Sequence, residues 1–239
     1  MRALEDLVNV EVPAWPALQG ALDRAASELD VQPGGDGASL LQLQVSAGSA
    51  LGAMVLHCGG LVLDGGWLRI FGGRSSSPRP ALPSLAAVNG FPTAVDPTWR
   101  PQDALVVGHD VLGGVFALNT HDPAAAGRPG VPGQMTYFAP DSLEWEAMDM
   151  GYGTWLTWTL TNRLAHFYEG LRWPGWQQET VNLTAAEGIT VYPFLWSKEA
   201  QDDLAATTRA PAPMAELHTM NQDFCQQMEL PAPGFLGAV

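Results

Sequence analysis

The run Val111-Leu112-Gly113-Gly114-Val115-Phe116-Ala117-Leu118-Asn119 decides the fold, together with Met135-Thr136-Tyr137-Phe138-Ala139-Pro140-Asp141-Ser142-Leu143-Glu144-Trp145-Glu146 beyond a proline- and glycine-rich loop. Short apolar runs separated by Gly/Pro punctuation read as the strands of a hairpin. A helical repeat follows: Leu156, Leu160 and Leu164 fall at i, i+4 and i+8, Phe167 extends the stripe, and Trp155 and Trp158 widen it. Strands followed by a helix with one apolar face predict an α+β fold, a mostly antiparallel sheet with helices packed on it.

Upstream, Leu4, Leu7 and Val8 suggest a helical turn, and Leu18, Leu22, Ala25 and Leu29 give one stripe of a helix starting after Pro16. A short helix is expected over Ala38 to Val45. Leu51 to Cys58, Leu61-Val62-Leu63 and Trp67 to Phe71, joined by Gly59-Gly60 and Asp64-Gly65-Gly66, read as a small meander. Gly72 to Pro83 reads as a flexible connection, with Arg74 and Arg79 its concentration of positive charge. Leu82 to Gly90 reads as a helix ended by Asn-Gly. Ala104 to Gly108 is the first central strand, and the loop from His121 to Gly133 is expected to be exposed. Ile189 to Trp196 reads as a strand that Pro193 places at an edge or bulge. Past Lys198 only Met214, Leu217, Met220, Phe224 and Met228 carry a pattern, that of one docked helix. Residues 1–80 thus form an N-terminal helical and meander extension. Residues 81–200 form the central α+β unit, packed with it as one globular domain, and 201–239 a C-terminal tail.

The 239 residues carry 25 Asp+Glu against 11 Lys+Arg, a formal charge of −14 with Lys198 the sole lysine. That balance opposes nucleic-acid binding, which needs cations at phosphates, and docking on anionic membranes. It favours solubility and faster encounter with a basic partner. Cys58 and Cys225 are too few for a disulfide framework or a zinc spacing. The acidic opening lacks signal-peptide character, and no apolar run approaches the ~20 residues of a membrane span. A cytoplasmic protein with reduced thiols is expected.

His109-Asp110 is the pair closest to base catalysis, since a carboxylate can orient an imidazole. Adjacent strand residues point to opposite faces, however, so the pair cooperates only if the backbone turns there. His57, Cys58, His109, Asp110 and His121 contain no close-spaced ligand pair for a metal. Glu144 and Glu146 share a face if extended, as a solvated strand would place them. Nucleophile elbow and phosphate-cradle motifs are absent, and no cofactor is expected.

Several segments together resemble a known family: Pro13-Ala14-Trp15-Pro16, Asp64 to Ile70, Leu112 to Asn119, Tyr137 to Glu146, Phe167 to Trp176 and Tyr192 to Trp196. They are similar to the bacterial domain-of-unknown-function family 2625, from near Leu4 to about Glu199. Leu82-Pro83, Asn89-Gly90, Gly113-Gly114, Tyr137-Phe138 and the helix from Thr154 also resemble the SUKH superfamily, a compact α+β fold of bacterial toxin-immunity proteins. That second likeness implies a non-catalytic protein-binding module meeting a basic partner such as a toxin. Asp110, His121, Asp122, Glu144, Glu146 and Asp149 would form the contact surface. The alternative is a small-molecule hydrolase or metal-dependent enzyme using His109, Asp110 and His121, which requires those three to converge in one pocket. A third reading is a homo-oligomer with exposed aromatic surface at its interface.

Overall fold

A computed structural model describes residues 1–76 and 82–239; Arg79 and the middle of the connection from Gly72 to Pro83 fall outside the described residues. Helix α1 (Leu4–Val8) buries Leu7, and α2 (Trp15–Leu22) opens with Pro16 in its first turn, where a missing N–H is harmless. The expected stripe to Leu29 is interrupted. The backbone N–H of Ala26 donates to the distant Leu160 carbonyl (2.9 Å), and Leu29 opens strand β1 (Leu29–Gln32). Asp36 caps α3 (Gly37–Leu43) by accepting from Ala38 N.

The run from Leu51 to Cys58 is a helix, not the strand expected. Ser49 accepts from Gly52 N (3.1 Å) and starts α4 (Ala50–His57). Leu51, Ala53, Met54 and Val55 are all buried, so an apolar run of this length shows no period to separate helix from strand. His57 ends the helix exposed, its ring 5.1 Å from that of Trp15.

Strands β2 (Gly60–Leu63) and β3 (Leu68–Phe71) follow, then α5 (Leu85–Val88), which stops at Asn89 with Gly90 at φ 62°. Strands β4 (Ala104–Asp110), β5 (Val115–Asn119), β6 (Gln134–Ala139) and β7 (Glu144–Gly151) complete one antiparallel sheet of seven strands in sequential order. The meander of the first 80 residues and the central strands thus share one sheet, joined by the pairs Leu68↔Asp110, Arg69↔His109 and Ile70↔Gly108.

The tryptophan helix is two pieces, α6 (Tyr152–Thr159) and α7 (Arg163–Phe167), because the chain turns over Leu160–Asn162. Together they cover one face of the sheet: Trp155 lies 5.2 Å from Phe116, and Phe167 5.0 Å from Tyr137. Arg172 sits over the Trp67 and Trp176 rings and pairs with Asp64, fastening the segment before α8 (Trp176–Thr180) to the β2–β3 turn. Burying Trp67, Trp155 and Trp173 contributes on the order of 2–3 kcal/mol each.

Strand β8 (Glu187–Tyr192) stops before Pro193. After α9 (Lys198–Asp202) it pairs with β9 (Thr208–Pro213), the Ala-Pro-Ala-Pro segment where sequence showed no strand. Helix α10 (Met214–Gln227), the docked helix expected, covers the other face of the sheet and buries Met214, Leu217, His218, Asn221 and Cys225. The last residues cross that face as a strap. Trp145 Nε1 donates to Pro233 O (3.0 Å), Phe235 N to Asp103 Oδ2 (3.2 Å), Arg128 to Phe235 O (3.0 Å) and Ala238 N to Val88 O (2.8 Å). No helix among the described residues is long and apolar enough to cross a membrane.

Candidate functional site

Strand β4 ends in two buried polar residues whose side chains enter opposite halves of the molecule. Asp110 enters the half covered by α6 and α7, where four donors saturate it. Leu112 N and Gly114 N each reach Oδ1 at 2.9 Å, and the Tyr137 and Tyr168 hydroxyls reach Oδ2 at 2.7 and 3.1 Å. The tight turn needs Gly113 at φ 85°, and a Cβ on Gly114 would overlap both Asp110 Oδ2 and the Tyr137 hydroxyl. Burial pushes the Asp110 carboxyl up, while its hydrogen bonds pull it down. Burial first, then the Asp110 charge, drives both tyrosines well above the ordinary phenol range, so they remain donors. With no exposed atom and every donor internal, this carboxylate ties β4, β6 and α7 together.

His109 enters the half covered by α10. Its ring lies 4.6 Å from Phe71 and 5.2 Å, edge to face, from His218. Arg69 is its cross-strand partner and donates to the Ala185 and Glu187 carbonyls just before β8 and at its start. Burial lowers His109 well below the usual imidazole value, with His218 and then Arg69 adding to it. Burial also takes His218 down to about 4, opposed by the Gly237 backbone, and Arg69 down to about 10, opposed by Asp110 and Glu187. At neutral pH this layer holds two neutral imidazoles beside a charged guanidinium. Both nitrogens of each ring, Arg69 Nη2 and Asn221 Nδ2 are buried without a hydrogen-bond partner in the protein. The Gly237 carbonyl approaches His218 without completing one.

The sequence-derived site residues separate into three places. Asp110, expected on the contact surface, is 0% exposed, and the inward turn at Gly113-Gly114 explains why it cannot present its charge to a partner. His109 and Asp110 point to opposite faces, and His121 lies exposed beyond the far end of β5. The register pairs His109 with Val115 and Ala104 with Asn119, so about 13 Å of strand at ~3.3 Å per residue intervenes. His109, Asp110 and His121 therefore do not converge, which removes the hydrolase or metal-enzyme constellation built on them. Among the described residues no group of three or more His, Cys, Asp and Glu side chains could hold a metal ion.

His121 and Asp122 lie exposed on the loop after β5, where Asp122 Oδ1 accepts from Ala125 N (3.2 Å). Glu144, Glu146 and Asp149 are exposed along β7, the strand at one edge of the sheet. Glu144 and Glu146 share a face, and Asp149 (φ 52°) adjoins the register shift opposite Gln134–Thr136. Partial burial raises the Glu146 carboxyl, and the charges of Asp141 and Glu144 raise it further, so these three acids crowd one end of the edge. The ion pairs of the described residues occupy Glu169, Asp64 and Glu179, and none reaches the β7 acids or Asp122. Tyr192 is the one aromatic among the exposed large apolar side chains of the described residues.

Sequence reasoning missed Arg69, His218 and Asn221. Arg69 was detectable as the lone charge in the all-buried strand Leu68-Arg69-Ile70-Phe71. His218 and Asn221 adjoin the apolar stripe of α10 and carry no signal of their own.

The model of a family described as protein of unknown function DUF2625 matches residues 4–217, past Glu199 where the resemblance was expected to stop. The putative uncharacterized protein YbfG of Escherichia coli K12 is 37% identical over 227 residues, 92% of this chain and 95% of the relative. An uncharacterized protein of Haemophilus influenzae is 30% identical over 198 residues, 81% of each chain. No solved structure matches the chain. The chain belongs to the DUF2625 family.

Proposed function

We propose that this member of the DUF2625 family is a non-catalytic protein-binding module, of the immunity or antitoxin kind, whose acidic surface meets a basic protein partner. One observation carries the reading. Glu144, Glu146 and Asp149 stand exposed on an open edge strand, beside Asp141, with no cation among the described residues paired to them. Partial burial raises the Glu146 carboxyl first, the like charges of Asp141 and Glu144 add to it, and a cationic segment relieves that added repulsion. An edge strand also offers backbone donors and acceptors to an added strand. Its acids turn away a second copy of this acidic chain, as charged edges do generally, while attracting a basic one. The SUKH-like ordering of segments supports the same class of function.

The test is association of the full chain with a lysine-rich extended peptide, followed at low and high salt. The expected result is an association rate that falls as salt rises, and that falls roughly tenfold or more in a Glu144→Lys/Glu146→Lys variant. Reversing Glu5 and Glu11, exposed at the other end of the chain's course, should leave the rate nearly unchanged. A salt-insensitive rate, or equal losses from both reversals, would remove β7 as the docking edge.

A further inference from the structure

We propose that the layer between β3–β4 and α10 is a binding site for a small monovalent anion, of halide or single-carboxylate size, held by Arg69, His109, His218 and Asn221 beneath the C-terminal strap. All four side chains are at most 5% exposed, and each carries a buried nitrogen that completes no hydrogen bond within the protein, the Gly237 carbonyl only approaching His218. A buried polar group is nearly always satisfied, so a cluster of such groups marks a place where something else accepts. The groups are near neighbours. Arg69 and His109 face each other across the β3–β4 ladder, the His109 and His218 rings are 5.2 Å apart, and Asn221 follows His218 by one turn of α10.

The chemistry on offer is donation. Arg69 supplies a guanidinium N–H, Asn221 an amide N–H, and each neutral imidazole one ring N–H. Among the described residues no carboxylate lies within ion-pair distance of Arg69. Asp110 lies through the sheet with its own four donors, and the Glu187 carboxylate accepts instead from Thr184 N (2.9 Å). A cation here would meet like charge from Arg69, and among the described residues no third ligand side chain accompanies the two histidines. An anion instead complements a guanidinium that Asp110 and Glu187 offset only from a distance, and accepts from the rings.

The roof sets the size limit. The strap backbone passes over His109 at Gly237, where even a Cβ would lie 3.6 Å from Nε2 and 3.0 Å from Val88 Cγ1. Entry requires the strap to lift. Its fastenings, from Pro233 to Ala238, lie beyond the family match that ends at Leu217. The site is independent of the β7 edge, so neither reading fails with the other.

The experiment compares the full chain in sodium chloride, formate, phosphate and gluconate at matched ionic strength. It reads the thermal midpoint and the ring-nitrogen NMR signals of the five histidines. Chloride or formate should raise the midpoint along a saturating curve, by about 5–10 °C at a hundredfold excess over Kd, and shift two of the five ring systems. Phosphate and gluconate should do neither. Arg69→Met should flatten the response. Because Arg69 also holds two carbonyls and its loss threatens folding, His218→Leu is the second variant, expected to weaken binding roughly tenfold or more. Equal midpoints and unmoved ring signals in all four anions would overturn the site in the wild-type chain alone. A response to zinc in place of the anions, or an anion effect that survives His218→Leu undiminished, would overturn it equally.

Discussion

His109 and Asp110 are neighbours in one strand, both 0% exposed, yet they sit in opposite halves of the molecule and in opposite conditions. Asp110 is surrounded by donors from the β4–β5 turn, β6 and the residue that ends α7, and its half is closed by Trp155, Phe167 and Tyr168. His109 faces a layer of nitrogens with nothing to bond, under a helix and a strap. A buried carboxylate given four donors becomes a rivet. Buried imidazoles that complete no hydrogen bond mark a layer that the protein's own groups do not finish.

The sharpest way to break the comparison is Asp110→Ala. It leaves two hydroxyls and two backbone N–H groups buried without an acceptor, and should lose about 3–5 kcal/mol in urea unfolding. A loss under about 1 kcal/mol would mean that the rivet does not hold the half together.

Acid should move the two neighbours in opposite senses. His218 falls from 6.5 unfolded to about 4 folded, so its unfolded form binds a proton that the folded form refuses. Its contribution is complete above pH 6.5 and is lost as pH drops, by about 3 kcal/mol near pH 4, with His109 acting in the same direction. The Asp110 carboxyl is raised on folding, so falling pH protonates the folded state first and adds stability. Urea midpoints against pH should therefore show an acid limb that flattens in His218→Gln. An unchanged limb would contradict the burial of that imidazole.

Gly114→Ala tests the rivet without touching its charge. Overlap with Asp110 and Tyr137 should lower stability by about 1–3 kcal/mol, whereas the exposed Gly170→Ala, with no atom near its Cβ, should change it little. The smallest effect belongs to the rim: Glu146→Gln removes one of three crowded charges and should leave stability within about 0.5 kcal/mol. A loss of several kcal/mol there would make β7 a structural edge instead of a free one.

The tryptophan stripe and the docked helix were legible because each repeats a local period that burial of one face imposes. The strands β4 to β6, buried on both faces, were legible as short apolar runs cut by glycine turns. Leu51 to Cys58 was misread because Leu51 to Val55 are buried without interruption and so show no period, and Leu29 because its spacing from Leu22 was accidental. Asp110 was misplaced as a surface acid because an isolated carboxylate looks the same in sequence whether water or two tyrosines solvate it. Nothing local announces that Tyr137 and Tyr168, far along the chain, will supply those hydroxyls.

By itself the sequence determined the fold class, the family, the acidity, and that His109 and Asp110 share a face only if the backbone turns between them, since side-chain alternation is a property of the strand alone. Only the tertiary structure decided which of the 25 acids stay in water, and which polar groups meet across the sheet. Those outcomes depend on partners brought together from distant segments by burial, and one-dimensional spacing does not encode them.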